Sequence, residues 1–270
     1  MPRASRRSDL RPTPFPTHGS GRRDHTLQTV LAGAFRIGGC LGASAAWAGV
    51  QQQVLSAIQE QAPFDWAGLG RYREANTHLP SPRPGETRVV FFGDSITATW
   101  FDVAPAYFQK RPYLARGVSG QTTAQMLVRF RQDVIELKPA AVVILAGAND
   151  IAGNTGPYDP DATMNNLVSM AELARVHRIR VVLASVLPAI DYPWNPELRP
   201  TPAILSLNAR LRDYAARNGI IYLDYYAAMA DRTGGLKASL SEDGVHPNKA
   251  GYGVMGPLAD QSLGPALSAK

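Results

Sequence analysis

The chain has 270 residues, 45% of them hydrophobic and 19% charged, which suits one α/β domain with a leader, or two small domains, and permits a sizeable core. Its formal charge of +6 is not a nucleic-acid signal, because residues 1–49 hold seven of the 28 basic and two of the 22 acidic residues, leaving a near-neutral body of 21 and 20. The single cysteine, Cys40, excludes an intrachain disulfide and any cysteine-rich metal site.

Residues 1–26 are rich in Arg, Pro, Ser and Thr and read as a segment that is disordered or removed. From Leu27 to Val50 the composition turns to Ala, Gly, Leu and Val and closes on Ala46-Trp47-Ala48, the parts of a secretory leader with cleavage near Ala48. Arg36 interrupts that apolar run. The Arg22-Arg23 pair leaves a twin-arginine route open, and Ile37-Gly38-Gly39-Cys40 faintly resembles a lipoprotein box. Residues 1–49 are therefore expected to be a leader, cleaved or disordered, of a periplasmic or secreted protein. A lipid-anchored or a cytoplasmic protein is the alternative. No other run approaches the roughly 20 apolar residues that a membrane-spanning helix needs.

Residues 50–87 read as a helical extension, with helices over Gln51–Gln61 and Phe64–Asn76, followed by a loop containing Pro80, Pro82, Pro84 and Gly85. Val89 to Phe92 form a continuous apolar, β-favouring run, and Gly93-Asp94-Ser95 then turns into a helix that starts near Ile96. Trp100–Gln109 is expected to be helical, Tyr113–Val118 a strand ending at Ser119-Gly120, and Thr122–Leu137 an amphipathic helix with Met126, Leu127, Phe130, Val134 and Leu137 on one face. Ala140–Ala146 is a third strand, ending at Gly147-Ala148-Asn149-Asp150. A polar loop to Pro160 and a helix over Ala162–His177 follow, then a strand over Arg180–Leu187 and a Pro-rich loop over Pro188–Pro202. A helix to Asn218, a fifth strand over Ile220–Leu223, a turn at Glu242–Asn248 and a helical tail complete the chain. Five strands, nearly all continuous apolar runs, alternate with helices and predict a parallel sheet covered on both faces: a three-layer, doubly wound α/β fold with the flavodoxin-like order 2-1-3-4-5, spanning 88–270.

In such sheets the functional crevice lies beyond the carboxyl ends of the strands. Ser95 follows strand one, Gly120 strand two, Asn149 strand three, and Asp243 and His246 strand five. Of the body's three histidines, His78 and His177 read as solvated, whereas His246 has a carboxylate three residues before it and Pro247 after it. Asp243 can accept from Nδ1–H and leave Nε2 as the acceptor, which a serine needs to become a useful nucleophile. Ser95 N–H, Gly120 N–H and the Asn149 amide are three candidate donors to an oxyanion. Each feature alone also has a bland reading as a turn, an Asx cap or a surface histidine.

Together, Gly93-Asp94-Ser95, Gly117-Val118-Ser119-Gly120, Gly147-Ala148-Asn149-Asp150 and Asp243-x-x-His246 resemble the four signature blocks of the SGNH (GDSL-type) hydrolase family. The likeness is nearest to the bacterial GDSL esterases and to the branch similar to platelet-activating-factor acetylhydrolase catalytic subunits. It runs from about Val89 to Asn248, with Ile96 where the family's name has leucine. It implies Ser95 as nucleophile, Asp243 and His246 as acid and base, and Ser95, Gly120 and Asn149 as the oxyanion hole. It calls for no cofactor, no metal and no nucleic-acid partner. The substrate is then a small-molecule or polysaccharide ester, cleaved by a short-acyl carboxylesterase or carbohydrate acetylesterase. A lysophospholipase or thioesterase and an O-acetyltransferase remain alternatives. So does a phosphoesterase using Asp94, Asn149, Asp150, Asp243 and His246 as metal ligands. Tyr158, Tyr192, Trp194 and Trp100 are aromatic residues placed either to stack on a sugar or to pack on the domain.

Overall fold

The computed structural model describes residues 65–268, and these contain one five-stranded sheet in which every neighbouring pair is parallel. Strands β1 (Val89–Gly93), β2 (Tyr113–Gly117), β3 (Ala141–Leu145), β4 (Arg180–Ala184) and β5 (Ile221–Leu223) lie in the order β2-β1-β3-β4-β5. This is the flavodoxin-like order expected for a doubly wound sheet. The leader and the helix expected over Gln51–Gln61 lie outside the described residues.

Both faces of the sheet are buried, and the strand period of two sorts their side chains. Val90, Phe92, Val142, Ile144, Val181 and Leu183 enter a core beneath α4 (Thr123–Asp133), α6 (Pro160–Val176) and α7 (Thr201–Asn218). Val89, Phe91, Val143, Leu145, Val182 and Ala184 enter the opposite core. There they meet α2 (Ser95–Val103), α3 (Ala106–Gln109), α8 (Tyr225–Met229) and α9 (Lys249–Ser268). A strand that must be apolar on both sides has no polar positions to alternate with, which is why these strands appear in the sequence as unbroken apolar runs.

The register sets the height of the functional rim. Gly93 is level with Gly117 on one side and Leu145 on the other. The three chains therefore leave the sheet side by side, carrying the turns that hold Ser95, Gly120 and Asn149. Gly117 makes this closeness possible: a Cβ there would collide with the Ala98 backbone nitrogen and lie 2.5 Å from the Asp94 carbonyl oxygen.

Three helix expectations differ from the structure. The stretch 65–72 forms turns, and only α1 (Arg73–Thr77) is helical. Gly68 adopts φ +66°, and Asp65 takes the N–H groups of Leu69 and Gly70 on its carboxylate, a local alternative to helix that the Trp66–Leu69–Tyr72 spacing concealed. The helix expected over Trp100–Gln109 is two helices, because Ala104 precedes Pro105 and is driven out of the helical region (φ −135°, ψ 58°). The amphipathic helix stops at Asp133, and a 3₁₀ turn over Ile135–Leu137 finishes the run. The segment before β1 is fastened to the sheet domain: Tyr72 Oη donates to the Gly117 carbonyl, Gln121 Nε2 to the Ala67 carbonyl and Asn76 Nδ2 to Asp133.

Candidate active site

Asp94 caps α2: its Oδ1 accepts from Ile96 N–H at 3.0 Å, so the helix begins at Ser95 and the serine projects from its first turn. The first N–H groups of a helix have no acceptor within it, and Ser95 N–H is one of them. Glycine at 120 permits the φ of +74° that the turn after β2 adopts. Gly147, at φ +120°, opens the short helix α5 (Ala148–Ile151), where a loop was expected, and places Asn149 on its first turn.

The structure brings Ser95 and His246 together across 151 positions of sequence, with Oγ–H donating to Nε2 at 2.9 Å. On the other side of the ring, Nδ1–H donates to Asp243 Oδ2 at 2.7 Å. An ionised carboxylate only accepts, so Asp243 fixes the tautomer that leaves Nε2 free to accept. Asp243 is itself held by the N–H groups of Val245 (2.9 Å) and His246 (2.7 Å) on Oδ1. Burial pushes its pKa up, but the hydrogen bonds and positive charge of His246 and these backbone donors outweigh it and bring the carboxyl to about 2.

Ser241 braces this loop and was not singled out in the sequence. It is buried, and its Oγ lies 2.8 Å from the His246 carbonyl and 3.1 Å from Asp243 Oδ1, while Gly244 N–H donates to it. The Trp194 ring stacks on Tyr192 at 5.0 Å and stands 6.1 Å from the imidazole of His246, walling that side. Trp100 is instead a core residue stacked between Tyr107 and Tyr252, and Tyr158 lines a groove beside Asp150 and Asn166. His78 and His177 are exposed, as expected.

Asn149 is 5% exposed, and its amide is held on every side. Nδ2 donates to the Gln121 carbonyl (3.0 Å) and to Asp94 Oδ2 (3.3 Å), and Oδ1 accepts from Asn154 Nδ2 (2.9 Å). The turns after β1, β2 and β3 are thus laced by hydrogen bonds around Ser95. Asp150 faces away into this lacing, accepting from the N–H and Oγ1 of Thr123. The five side chains of the metal alternative are therefore divided among separate tasks. Among the described residues, no group of three or more His, Cys, Asp or Glu side chains is placed to hold a metal ion.

Beneath the site lies a buried cation that sequence reasoning missed. Arg129 is fully buried, its guanidinium 4.2 Å above the Phe92 ring. It donates to the carbonyls of Gly93 (2.8 Å) and Arg116 (3.0 Å), to Gln121 Oε1 (2.5 Å) and to Asp133 Oδ2 (3.1 Å). One side chain therefore ties the ends of β1 and β2 to the loop after Gly120. An arginine on an otherwise amphipathic helix carries no sequence signal of such a role.

Asp94 is 2% exposed, and burial raises its carboxyl from 3.8 to about 6 despite the Ile96 N–H bond and the charge of His246. A folded pKa above the unfolded one means that the folded state holds its proton longer. Asp94's contribution to stability is thus full below about pH 4 and is lost as pH rises through about 6. In Asp94→Asn that decline disappears, so the urea midpoint of the variant, plotted against pH, is flatter than that of the wild type across this window. An identical slope in the two proteins would contradict the assignment.

Comparison with known proteins places the chain in a family. The sequence profile of the GDSL-like lipase/acylhydrolase family matches residues 91–254. The curated relatives include the uncharacterised lipoprotein YqeF of Bacillus subtilis, 35% identical over 81 residues (29% of this chain, 33% of that protein). Esterase TesA of Pseudomonas aeruginosa is 31% identical over 130 residues (48% of this chain, 58% of that protein). The matched stretches thus span a third to three fifths of those relatives. A crystal structure of a GDSL-like lipase from Bacteroides thetaiotaomicron is 46% identical, covers 74% of this chain and 99% of its own, and superposes with a TM-score of 0.73. With its five-stranded parallel sheet and a profile match across the strands and turns that hold Ser95 and His246, the chain belongs to the GDSL-like lipase/acylhydrolase family, whose members act on esters.

Proposed function

We propose that the protein is a serine ester hydrolase that works through an acyl-enzyme on Ser95. The observation that carries this reading is the continuous chain Ser95 Oγ–His246 Nε2–His246 Nδ1–Asp243 Oδ2, with links of 2.9 and 2.7 Å. Ser95 Oγ attacks the ester carbonyl carbon while its proton passes to Nε2, and Asp243 stabilises the imidazolium. The carbonyl oxygen becomes an oxyanion that accepts from the N–H groups of Ser95 and Gly120 and from Asn149 Nδ2. That amide releases its longer, 3.3 Å contact with Asp94 to take the oxyanion. The tetrahedral intermediate collapses, the departing alkoxide takes the proton from Nε2, and water, activated by the same imidazole, releases the acid.

Asn149→Ala removes one oxyanion donor and is expected to lower kcat for p-nitrophenyl acetate by about 10²–10³-fold with a small change in KM. A variant within threefold of wild type would remove Asn149 from the mechanism.

The substrate class we assign is short-acyl esters, with carbohydrate acetyl esters as the leading group. The groove beside the oxyanion loop supports this, since the hydroxyl and amide groups of Thr122, Thr155, Tyr158 and Asn166 stand there among the small apolar surfaces of Ala124, Pro157 and Ala162. An acyl-length series of p-nitrophenyl esters, run beside acetylated xylan, decides between the classes. Activity falling steeply beyond butyrate, with acetate released from xylan, fits this reading; a maximum at C8 or longer marks a lipid acylhydrolase. Acetyl transfer to an added sugar exceeding hydrolysis marks a transferase. The basic front and Ala46-Trp47-Ala48 of residues 1–49 favour an exported enzyme, as does the lipoprotein relative. Among the described residues no helix is long and apolar enough to cross a membrane.

A further inference from the structure

Asn154 lies in the loop behind α5 and is half-buried. A primary amide has two N–H donors, and Asn154 directs Nδ2 to two residues of the proposed oxyanion hole: the Gly120 carbonyl at 3.0 Å and Asn149 Oδ1 at 2.9 Å. Its backbone N–H also donates to the Asn149 carbonyl at 3.1 Å. One side chain thereby joins the turn after β2 to the turn after β3.

The second of these bonds decides a chemical question. The two ends of the Asn149 amide are alike in shape but opposite in function, since Nδ2 donates and Oδ1 accepts. The Gln121 carbonyl and Asp94 Oδ2 are both acceptors and draw the NH₂ towards themselves. On the other side, Oδ1 accepts from Asn154. With it in place, a reversed amide would set oxygen against two acceptors and NH₂ against NH₂, at a cost of several unmade hydrogen bonds in a buried site. Without it, Oδ1 loses the donor it has among the described residues. The first bond acts in parallel, holding the peptide after Gly120 in the unusual φ of that turn.

We infer that Asn154 is a positioning residue that keeps the Asn149 NH₂, rather than its oxygen, facing the oxyanion and locks the Gly120 turn to it. This rests on the reading of Asn149 and Gly120 as oxyanion donors.

The test is a double-mutant cycle on the full chain with p-nitrophenyl acetate, using Asn154→Asp, Asn149→Ala and the double variant. A carboxylate is close to the amide in shape but donates nothing, and it would face two acceptors, inviting Asn149 to reverse. The expected result is a kcat about 10²-fold lower in Asn154→Asp, the scale of losing an oxyanion donor, with KM changed by less than about twofold. In the Asn149→Ala background the same substitution should cost less than about tenfold, because the group it acts through is already gone. Asn154→Ala, which adds no charge, carries the same cycle with a smaller first step if the aspartate variant does not fold. The inference is overturned if Asn154→Asp or Asn154→Ala keeps kcat within threefold of wild type, or if its full cost recurs on Asn149→Ala. A wild-type rate in Asn149→Ala alone would instead overturn the oxyanion reading, and this inference with it.

Discussion

Ser95→Ala is expected to lower kcat for p-nitrophenyl acetate by about 10⁴- to 10⁶-fold, and His246→Ala by a similar factor, with little further loss when the two are combined. The size follows from how the site is built. A serine hydroxyl is a weak nucleophile on its own, and in the proposed mechanism Ser95 gains its reactivity from His246 Nε2, which lies 2.9 Å from its Oγ. Removing either partner leaves the other without a task, so the losses do not add. What survives is the contribution of the oxyanion donors and substrate binding, which triad deletions elsewhere leave at about 10³–10⁴ over water. Circular dichroism and thermal unfolding of Ser95→Ala should match the wild type, since the side chain is small, half-buried and at a helix start whose cap belongs to Asp94. A Ser95→Ala protein that turns over within tenfold of wild type, free of contaminating esterase, would refute the assignment.

The second large effect is on stability. Arg129 and Asp133 are an ion pair one helical turn apart, both with fully buried side chains. Asp133→Ala leaves the guanidinium without its counter-charge in an apolar setting and is expected to destabilise the fold by about 3–5 kcal/mol, the usual cost of breaking a buried pair from one side. It also strips Asn76 Nδ2 of its 2.7 Å acceptor, loosening the segment that leads into the sheet. Arg129→Met should cost at least as much. Besides stranding Asp133, it removes the donor to the Gly93 and Arg116 carbonyls and to Gln121 Oε1, immediately beneath the nucleophile turn. Against a typical total stability of about 5–15 kcal/mol, either change is a large fraction of the whole. Urea unfolding followed by circular dichroism gives the comparison. A shift below about 1 kcal/mol in both variants would show that the pair is solvated in the working protein.

The central strands β1 and β3, and β4 after Arg180, were legible because burial on both faces removes polar positions and leaves apolar runs too short for a helix, while the edge strands β2, which carries Arg116, and β5 are only partly buried. Alternation predicted a doubly wound parallel sheet, and the order 2-1-3-4-5 was the flavodoxin-like choice among the orders such a sheet can take. Ser95, Gly120, Asn149, Asp243 and His246 were legible for a related reason: each lies just past a strand or in the final turn, where a doubly wound sheet gathers chemistry. The failures are equally physical. At residues 65–72 the aromatic spacing imitates a helix, while Asp65 and Gly68 close turns that no periodicity reports. Pro105 splits the helix after Ser95, a break that can be read from the proline itself. Arg129, Gln121, Asn154 and Ser241 could not be found by pattern. Their importance lies in hydrogen bonds to residues brought close only by folding, and their residue types are ordinary at those positions. Asp94 stood in plain view within the Gly-Asp-Ser turn, yet its hold on Asn149 joins residues 55 positions apart.

The most direct measurement is covalent trapping. Incubation of the intact chain with a fluorophosphonate, followed by peptide mapping, should yield one adduct per chain, on Ser95, with esterase activity lost in proportion to labelling. Ser95→Ala should take up no label, and His246→Ala should label far more slowly. A protein that continues to hydrolyse esters while unlabelled, or that carries its adduct on another residue, would contradict the claim that this serine is the group that receives the acyl chain.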